Sequence, residues 1–363
     1  MTTHQSASLV LQDEVKRGNT NAAPKAPLHR GGEAPAPGPE FFNTLLQVKN
    51  LVKRFESGGG LLSGPRQIVR AVNDVSFDVA RGQSLGLVGE SGCGKSTVAR
   101  TLLRLVEPDE GSIVFDGIDL RTAGAAQMRR LRQRIQIVFQ DPFASLNPRR
   151  TVRQTLSEPL VVHKLGNASE IETRIRRTLD EVGLPQTALE RYPHEFSGGQ
   201  RQRIGIARAL VLDPELIVAD EPVSALDVSV QAQILQLLDR LRVERQLSFV
   251  FVSHDLGVVR HFCDEVCVMY LGRIVERGAT NRVLDGPAHP YSRVLRDSSP
   301  VPDPAARITP ARITGEVPAP TNLPAGCAYH PRCARVQPDC SLSVPELEEV
   351  SPGRRAACFH PII

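Results

Sequence analysis

The chain has 363 residues, 41% apolar and 23% charged, with a formal net charge of +4, so it can bury a sizeable core and has the composition of a globular protein. No run approaches the roughly 18 apolar residues that a membrane span needs, which excludes a spanning role for this sequence. The small, dispersed charge, the lack of tryptophan and the presence of only four tyrosines leave few platforms for stacked bases and argue against a nucleic-acid partner.

Residues 1–40 are rich in Ala, Pro, Gly and Asn, and their longest apolar piece, residues 9–11, is too short for a signal-peptide core. A disordered leader over residues 1–43 is expected. Without a secretory signal the seven cysteines belong in a reducing compartment, where disulfides are the less favoured use. Cys93, Cys263 and Cys267 lie in apolar or motif stretches and read as small buried hydrophobes or loop fillers.

Residues 45–55 alternate as a strand does. A glycine-rich insert over 56–65 separates them from residues 68–79, which alternate again, so two strands of a mostly antiparallel edge sheet are expected. Phe55, upstream of the motif that follows, can stack on an adenine or simply serve as core. The stretch 85–97, LGLVGESGCGKST, begins with Leu85, Leu87 and Val88 as the end of a buried strand. Gly89, Gly92 and Gly94 then let the backbone turn tightly enough for the N–H groups of a loop that also holds Glu90, Ser91 and Cys93 to face one anion. Gly89-x-x-x-x-Gly94-Lys95-Ser96-Thr97 fits the P-loop pattern, in which Lys95 reaches the β- and γ-phosphates and Ser96 ligates Mg²⁺. The helix opening near Ser96 points its positive end at the nucleotide. A glycine-rich turn with a chance lysine is the bland alternative, and the order strand, loop, helix argues against it.

Residues 111–116 and 134–140 read as strands on either side of a basic helix at 128–133, and Pro142 stops the second with Gln140 at its tip. Helical periodicity over 151–191, broken at Gly166 and at Gly183-Leu184-Pro185, marks an inserted helical subdomain. Phe196-Ser197-Gly198-Gly199-Gln200 runs into a helix over 204–212, a second anion-binding helix start in one chain. Residues 215–219 form a continuous apolar run, as in a strand buried on both faces, and end at Asp220-Glu221. Adjacent carboxylates at such a strand end are costly unless they hold a metal or do chemistry. Residues 248–252 repeat the pattern and end at Ser253-His254-Asp255; a hydrogen-bonded strand-end histidine is the bland reading of His254.

From His289-Pro290-Tyr291 the composition shifts toward proline, with an irregular linker over 300–324. Cys327, Cys333, Cys340 and Cys358 follow at gaps of five, six and seventeen residues, without the tight pairs of most zinc modules. Residues 324–363 hold few apolar residues and many prolines, so burial alone would hardly fold them, and a metal or covalent staple is expected.

Taken together, the P-loop, Gln140, Ser197-Gly198-Gly199-Gln200, Asp220-Glu221, Ser224-Ala225-Leu226-Asp227 and His254 resemble the ATP-binding subunit of ABC transporters over residues 45–286. Phe196 departs from the leucine usual there, an apolar replacement. The resemblance implies an α/β P-loop ABC-type ATPase with a RecA-like core, an antiparallel β subdomain and a helical subdomain at about 141–203. That domain spans 44–288, and an extension with four cysteines fills 289–363. The resemblance implies ATP hydrolysis, with Lys95 and the loop amides on the phosphates and with Ser96, Gln140 and Asp220 on Mg²⁺. Glu221 is then the general base, and His254 keeps it in register with the γ-phosphate. Ser197–Gln200 would close over ATP held by a second subunit, and Asp227 would couple the two sites.

The strings HPYSR, GEVPAP, GCAYHPRCARVQPDC and AAC resemble the tail of ATPases serving oligopeptide and dipeptide importers, where four such cysteines can hold a [4Fe–4S] cluster. Zinc and unligated thiols stay open beside the cluster. The function implied is ATP-driven peptide import at the cytoplasmic face of the inner membrane. Its implied partners are a paralogous ATPase, two membrane permeases and an external substrate-binding protein. Nickel, glutathione or an opine-like cargo is the alternative within transport. A soluble ABC ATPase of DNA repair or of ribosomes usually carries fused ATPase domains or a long coiled coil, and neither is present. Nucleotide binding without turnover is disfavoured by the joint presence of Lys95, Asp220, Glu221 and His254.

Overall fold

The structure, a computed structural model, describes residues 43–57, 67–299 and 315–362. The expected leader, most of the glycine-rich insert and the first part of the proline-rich linker lie outside the described residues. Strands β1 (Thr44–Ser57) and β2 (Gln67–Ala80) pair antiparallel, from Thr44 opposite Ala80 to Ser57 opposite Gln67. The alternation seen in the sequence turns Val72, Val75, Phe77 and Val79 of β2 inward. The chain then enters β3 (Ser84–Val88) and α1 (Lys95–Leu102). β4 (Glu110–Phe115) and β5 (Ile118–Asp119) return beside β1, giving a four-stranded antiparallel sheet in the order β2-β1-β4-β5.

Helix α2 (Ala125–Arg134) leads directly into β6 (Ile135–Val138). The strand expected over 134–140 is therefore shorter at both ends. Arg134 closes the helix, and beyond Val138 the Asp141 carboxylate caps the short helix α3 (Pro142–Ser145) by accepting from the Phe143 and Ala144 amides. Gln140 sits in the link between them. The helical block consists of α4 (Val152–His163), α5 (Ala168–Glu181) and α6 (Gly198–Leu210), each opened by a capping box: Thr151 with Gln154, Asn167 with Glu170, and Ser197 with Gln200. The breaks fall where expected, at Gly166 and Gly183, both at positive φ.

β7 (Leu216–Asp220), α7 (Val228–Arg245), β8 (Ser248–Ser253), α8 (Leu256–Phe262) and β9 (Glu265–Tyr270) complete the parallel layer. β10 (Arg273–Ala279), α9 (Thr280–Asp285) and α10 (Pro290–Asp297) follow, and the tail adds β11 (Glu348–Ser351) and β12 (Arg354–Ala356). The large sheet runs β11-β12-β10-β9-β3-β8-β7-β6. Pairing is parallel from β9 to β6 and antiparallel from β9 outward through β10 and β12 to β11.

Because β3, β7 and β8 are buried on both faces, they read as unbroken apolar runs, and alternate residues feed two cores. Leu85, Leu87, Val218, Val250 and Val252 meet the antiparallel sheet and α1, while Ile217, Ala219, Phe249 and Phe251 meet the helices on the other face. Cys93, Cys263 and Cys267 are buried in these layers as small hydrophobes, and burial pushes the Cys267 thiol up to about 12. The tail packs on this body rather than beside it: Tyr329 is buried against Tyr270 and Tyr291, with ring centroids 5.2 and 5.4 Å away.

A charged cluster fastens α2, the end of β4 and the start of β7. Arg81 and Arg134 each pair with both Asp116 and Glu215. The hydrogen bond from Arg134 is the main reason that both carboxyls lie below their ordinary 3.8 and 4.5. A depressed folded-state pKa stabilises above the unfolded value and is lost as pH falls through the folded one. Arg134→Ala should therefore cost about 1 kcal/mol near neutrality, a partly exposed pair being screened, and progressively less as pH falls below the ordinary carboxylate values and through the depressed ones. Thermal unfolding of both proteins across that pH range checks this; an equal loss at both ends would contradict it.

Candidate active site

β3 ends at Val88, and the loop that follows is glycine-dependent at two points. A Cβ on Gly89 would strike the Met269 carbonyl, and one on Gly94, at φ +108, would strike the Ala71 carbonyl. Lys95 then opens α1 with its side chain buried, its ammonium donating to the carbonyls of Gly89 at 2.8 Å and Glu90 at 3.0 Å. The Ser96 hydroxyl donates to the Asp220 carboxylate at 2.9 Å. Burial at the end of β7 pushes Asp220 above the usual carboxylate range, and the Ser96 hydrogen bond only partly offsets it. A carboxylate so placed is stabilised by a cation. Ser96 and Asp220 fit Mg²⁺ by their donor set, both being hard oxygen ligands.

Glu221 follows in the left-handed region at φ +48, a conformation that costs a non-glycine residue about 1–3 kcal/mol. Its amide donates to the Val252 carbonyl at 3.0 Å, bracing the turn against β8. The turn aims the Glu221 carboxylate at Gln140, whose side-chain amide donates at 2.9 Å, and at His254 Nδ1, 3.3 Å away. Parallel pairing of β3, β8 and β7 thus collects the phosphate loop, His254 and the two acids at the carboxyl edge of one sheet.

A cleft of about 250 Å³ opens at this edge, lined by Ser91, Gly92, Gly94, Lys95, Ser96 and Thr97 of the loop and helix start, by Gln140 and Glu221, by Val69 and Ala71 from β2, and by Pro320 from the tail. A larger cavity of about 540 Å³ lies between the tail, the middle of β2 and the start of β10, and its lining carries no phosphate loop. Within the loop, Cys93 is turned inward, its sulfur 3.8 Å from the Lys95 ammonium, and Glu90 is turned to the tail. Phe55 lies opposite Val69 in the β1–β2 pairing, 40% exposed, with the Lys53 ammonium 5.3 Å from its ring centre.

Ser197, Gly198, Gly199 and Gln200 do not line this cleft. They form the start of α6, with Ser197 and Gln200 exposed and Gly199 pressed so closely on Val230 that a Cβ would clash. Asp227 precedes α7, also exposed.

The four tail cysteines surround one small cavity with His330 and His360. Burial raises the Cys327, Cys333 and Cys358 thiols, the last to about 11, and neighbouring thiols add to each shift. Crowded thiols of this kind fit a shared cationic centre by their donor set. Ligand atoms of Asp339, Cys340 and His360 also lie within 4.8 Å of one another.

Val69, Ala71, Pro320, Tyr291 and Arg332 reach the site without having been singled out for it from sequence. Tyr291 stands in the noted HPY string, but nothing local there signals a phosphate loop more than 190 residues away; its hydroxyl accepts from the Glu90 amide at 2.8 Å. Pro320, whose carbonyl accepts from the Arg70 amide at 3.1 Å, sits in the noted GEVPAP string and carries no signal either.

An anion cradle on a central parallel strand, opposed by a strand-end acid pair and accompanied by an inserted helical block, is the construction of the P-loop ATPases of the cassette class. Residues 72–224 match the ABC transporter family model, and residues 275–340 match that of the oligopeptide/dipeptide transporter C-terminal region. The chain is 48% identical to the oligopeptide transport ATP-binding protein AppF of Bacillus subtilis, the match covering 87% of this chain and 97% of AppF. It is 46% identical to the dipeptide transport ATP-binding protein DppF of Haemophilus influenzae, over 87% of this chain and 96% of DppF.

Among solved structures, CbiO1 of Clostridium perfringens, part of the ABC transporter complex CbiONQ, superposes with a TM-score of 0.57 at 28% identity, over 67% of this chain and 91% of that one. The ATP-binding cassette MJ0796, solved as a dimer in a post-hydrolysis state with ADP and Pi, gives a TM-score of 0.57 at 29% identity, over 65% and 98%. The chain belongs to the ATP-binding subunits of ABC transporters, in the group that carries the oligopeptide/dipeptide transporter C-terminal region.

Proposed function

We propose that this ATPase drives import of dipeptides or oligopeptides through membrane permeases supplied by other chains, working at the cytoplasmic face of the membrane. Among the described residues no helix is long and apolar enough to cross a membrane, so passage of cargo falls to partners. The peptide assignment draws its support from the C-terminal region and from the names of the relatives; an external binding protein would deliver the cargo.

The observation that carries the hydrolytic reading is the Gln140–Glu221–His254 group beside the Ser96–Asp220 pair. Lys95 and the loop amides neutralise the phosphate oxygens, and Ser96, Gln140 and Asp220 are the residues that would hold Mg²⁺. When bound, the ion would neutralise charge on the β- and γ-oxygens. Glu221 accepts the proton of the attacking water. His254, with Nδ1 toward Glu221, keeps Nε2 for the γ-phosphate, and Gln140 donates to the same Glu221 oxygen, Oε2, that His254 faces.

The exposed Ser197–Gln200 helix start, with Asp227 beside the next helix, is read as the surface that closes over ATP held by a second cassette, here a paralogous one. The 13-residue helix behind it offers a positive N-terminus to that phosphate. Hydrolysis should then be weak in the isolated chain, rise with protein concentration, and rise further when a partner ATPase and permeases are added. Steady-state phosphate release measured across a dilution series tests this; full, concentration-independent activity from a monomeric preparation would overturn the paired reading. Cys327, Cys333, Cys340 and Cys358 are read as the ligands of one [4Fe–4S] cluster with a structural role, since phosphoryl transfer uses no electron.

A further inference from the structure

The phosphate loop is tied to the cysteine-bearing tail through Glu90. Its carboxylate receives both ends of the Arg332 guanidinium, at 2.9 and 3.2 Å. Its amide donates to the Tyr291 hydroxyl at 2.8 Å, and its carbonyl accepts from the Lys95 ammonium at 3.0 Å. Every polar group of Glu90 is thus engaged, two of them by residues beyond position 288. Arg332 is itself fixed: its side chain is 5% exposed, and it donates to the Tyr270 hydroxyl at 3.3 Å. It closes the turn His330–Arg332, directly before Cys333 and five residues after Cys327, so the arrangement of the thiols sets where the guanidinium stands.

We propose that Arg332 is a positioning residue for ATP binding, acting through Glu90 on the phosphate loop, so that nucleotide affinity depends on the folded state of the tail. The inference rests on the reading that residues 89–96 hold the phosphates. Releasing the Glu90 carboxylate frees the loop at the residue whose carbonyl anchors Lys95, and the amides that follow lose their common aim. The fork of a guanidinium matters here, because an ammonium makes no such paired contact. Linkage also demands the converse: bound nucleotide must hold the tail down by the same factor.

The test uses the full chain assembled with its permeases and partner ATPase. A fluorescent ATP analogue measures affinity, steady-state hydrolysis gives KM and kcat, and proteolysis of the tail is followed with and without the analogue. Arg332→Ala and Glu90→Gln should each weaken affinity within the roughly 5–150-fold span of coupled sites, with Arg332→Lys between them and the parent. The loss should fall on KM rather than kcat, and the double variant should bind no more weakly than the worse single one. The analogue should protect the tail in the parent protein and not in Arg332→Ala. Unchanged affinity in Glu90→Gln, or losses that multiply in the double variant, would overturn the proposal. Lys95→Ala examines the underlying loop reading separately: normal affinity there would sink that reading.

Discussion

Replacing Glu221 with glutamine should lower ATP turnover by about 10²–10⁴-fold while leaving nucleotide bound, the span expected when a positioned proton acceptor is removed. The substitution keeps side-chain length, and one amide oxygen can still accept from Gln140, which now stands 2.9 Å from the carboxylate. The backbone cost of φ +48 is the same for either residue, so a loss of activity cannot be assigned to a relaxed turn. What disappears is basicity at the point that Gln140 and His254 converge on. Phosphate release measured alongside binding of an ATP analogue separates the outcomes: turnover near the parent value would remove Glu221 from the base role.

The second large effect concerns the tail. Serine at Cys327, Cys333, Cys340 or Cys358 should abolish a bound cluster, because each change replaces one of its four thiolate ligands by a hydroxyl that holds iron poorly. Anaerobically prepared parent protein should be brown and hold about four irons per chain. The serine variants should be colourless and expose the tail to proteolysis. The Asp339–Cys340–His360 group sharpens the measurement, since His360 Nε2 lies 2.9 Å from both Asp339 oxygens. Colourless parent protein with stoichiometric zinc that is lost in His360→Gln would replace the four-thiol site by this mixed one.

Residues 85–97 announced strand, loop and helix in the sequence because all three depend on neighbours in the chain: an apolar run, then glycines that only tight backbone contact requires, then Lys95 and Ser96. Asp220-Glu221 and His254 were visible for a similar reason, as polar residues ending apolar runs. The contacts through Arg332 and Tyr291 had no such signature, since 242 and 201 residues separate them from Glu90 and only the folded sheet brings them together. β12 was hidden differently. Arg354-Arg355-Ala356 is too short and too charged to alternate, and it is a strand only because β10 offers it a ladder.

That ladder has a further consequence. β10, with Ile274 and Val275 buried, would otherwise close the sheet with a row of open amides and carbonyls, the kind of border along which unrelated chains stick together. β12 pairs with Glu276, Arg277 and Gly278 of that border, the Ala357 amide adds a bond to the Val275 carbonyl, and the new border passes to β11, four residues long, where Glu348 and Glu349 stand in solvent. A short acidic margin is a poor template for a stray strand, so the tail leaves this chain with an edge that other copies cannot readily extend.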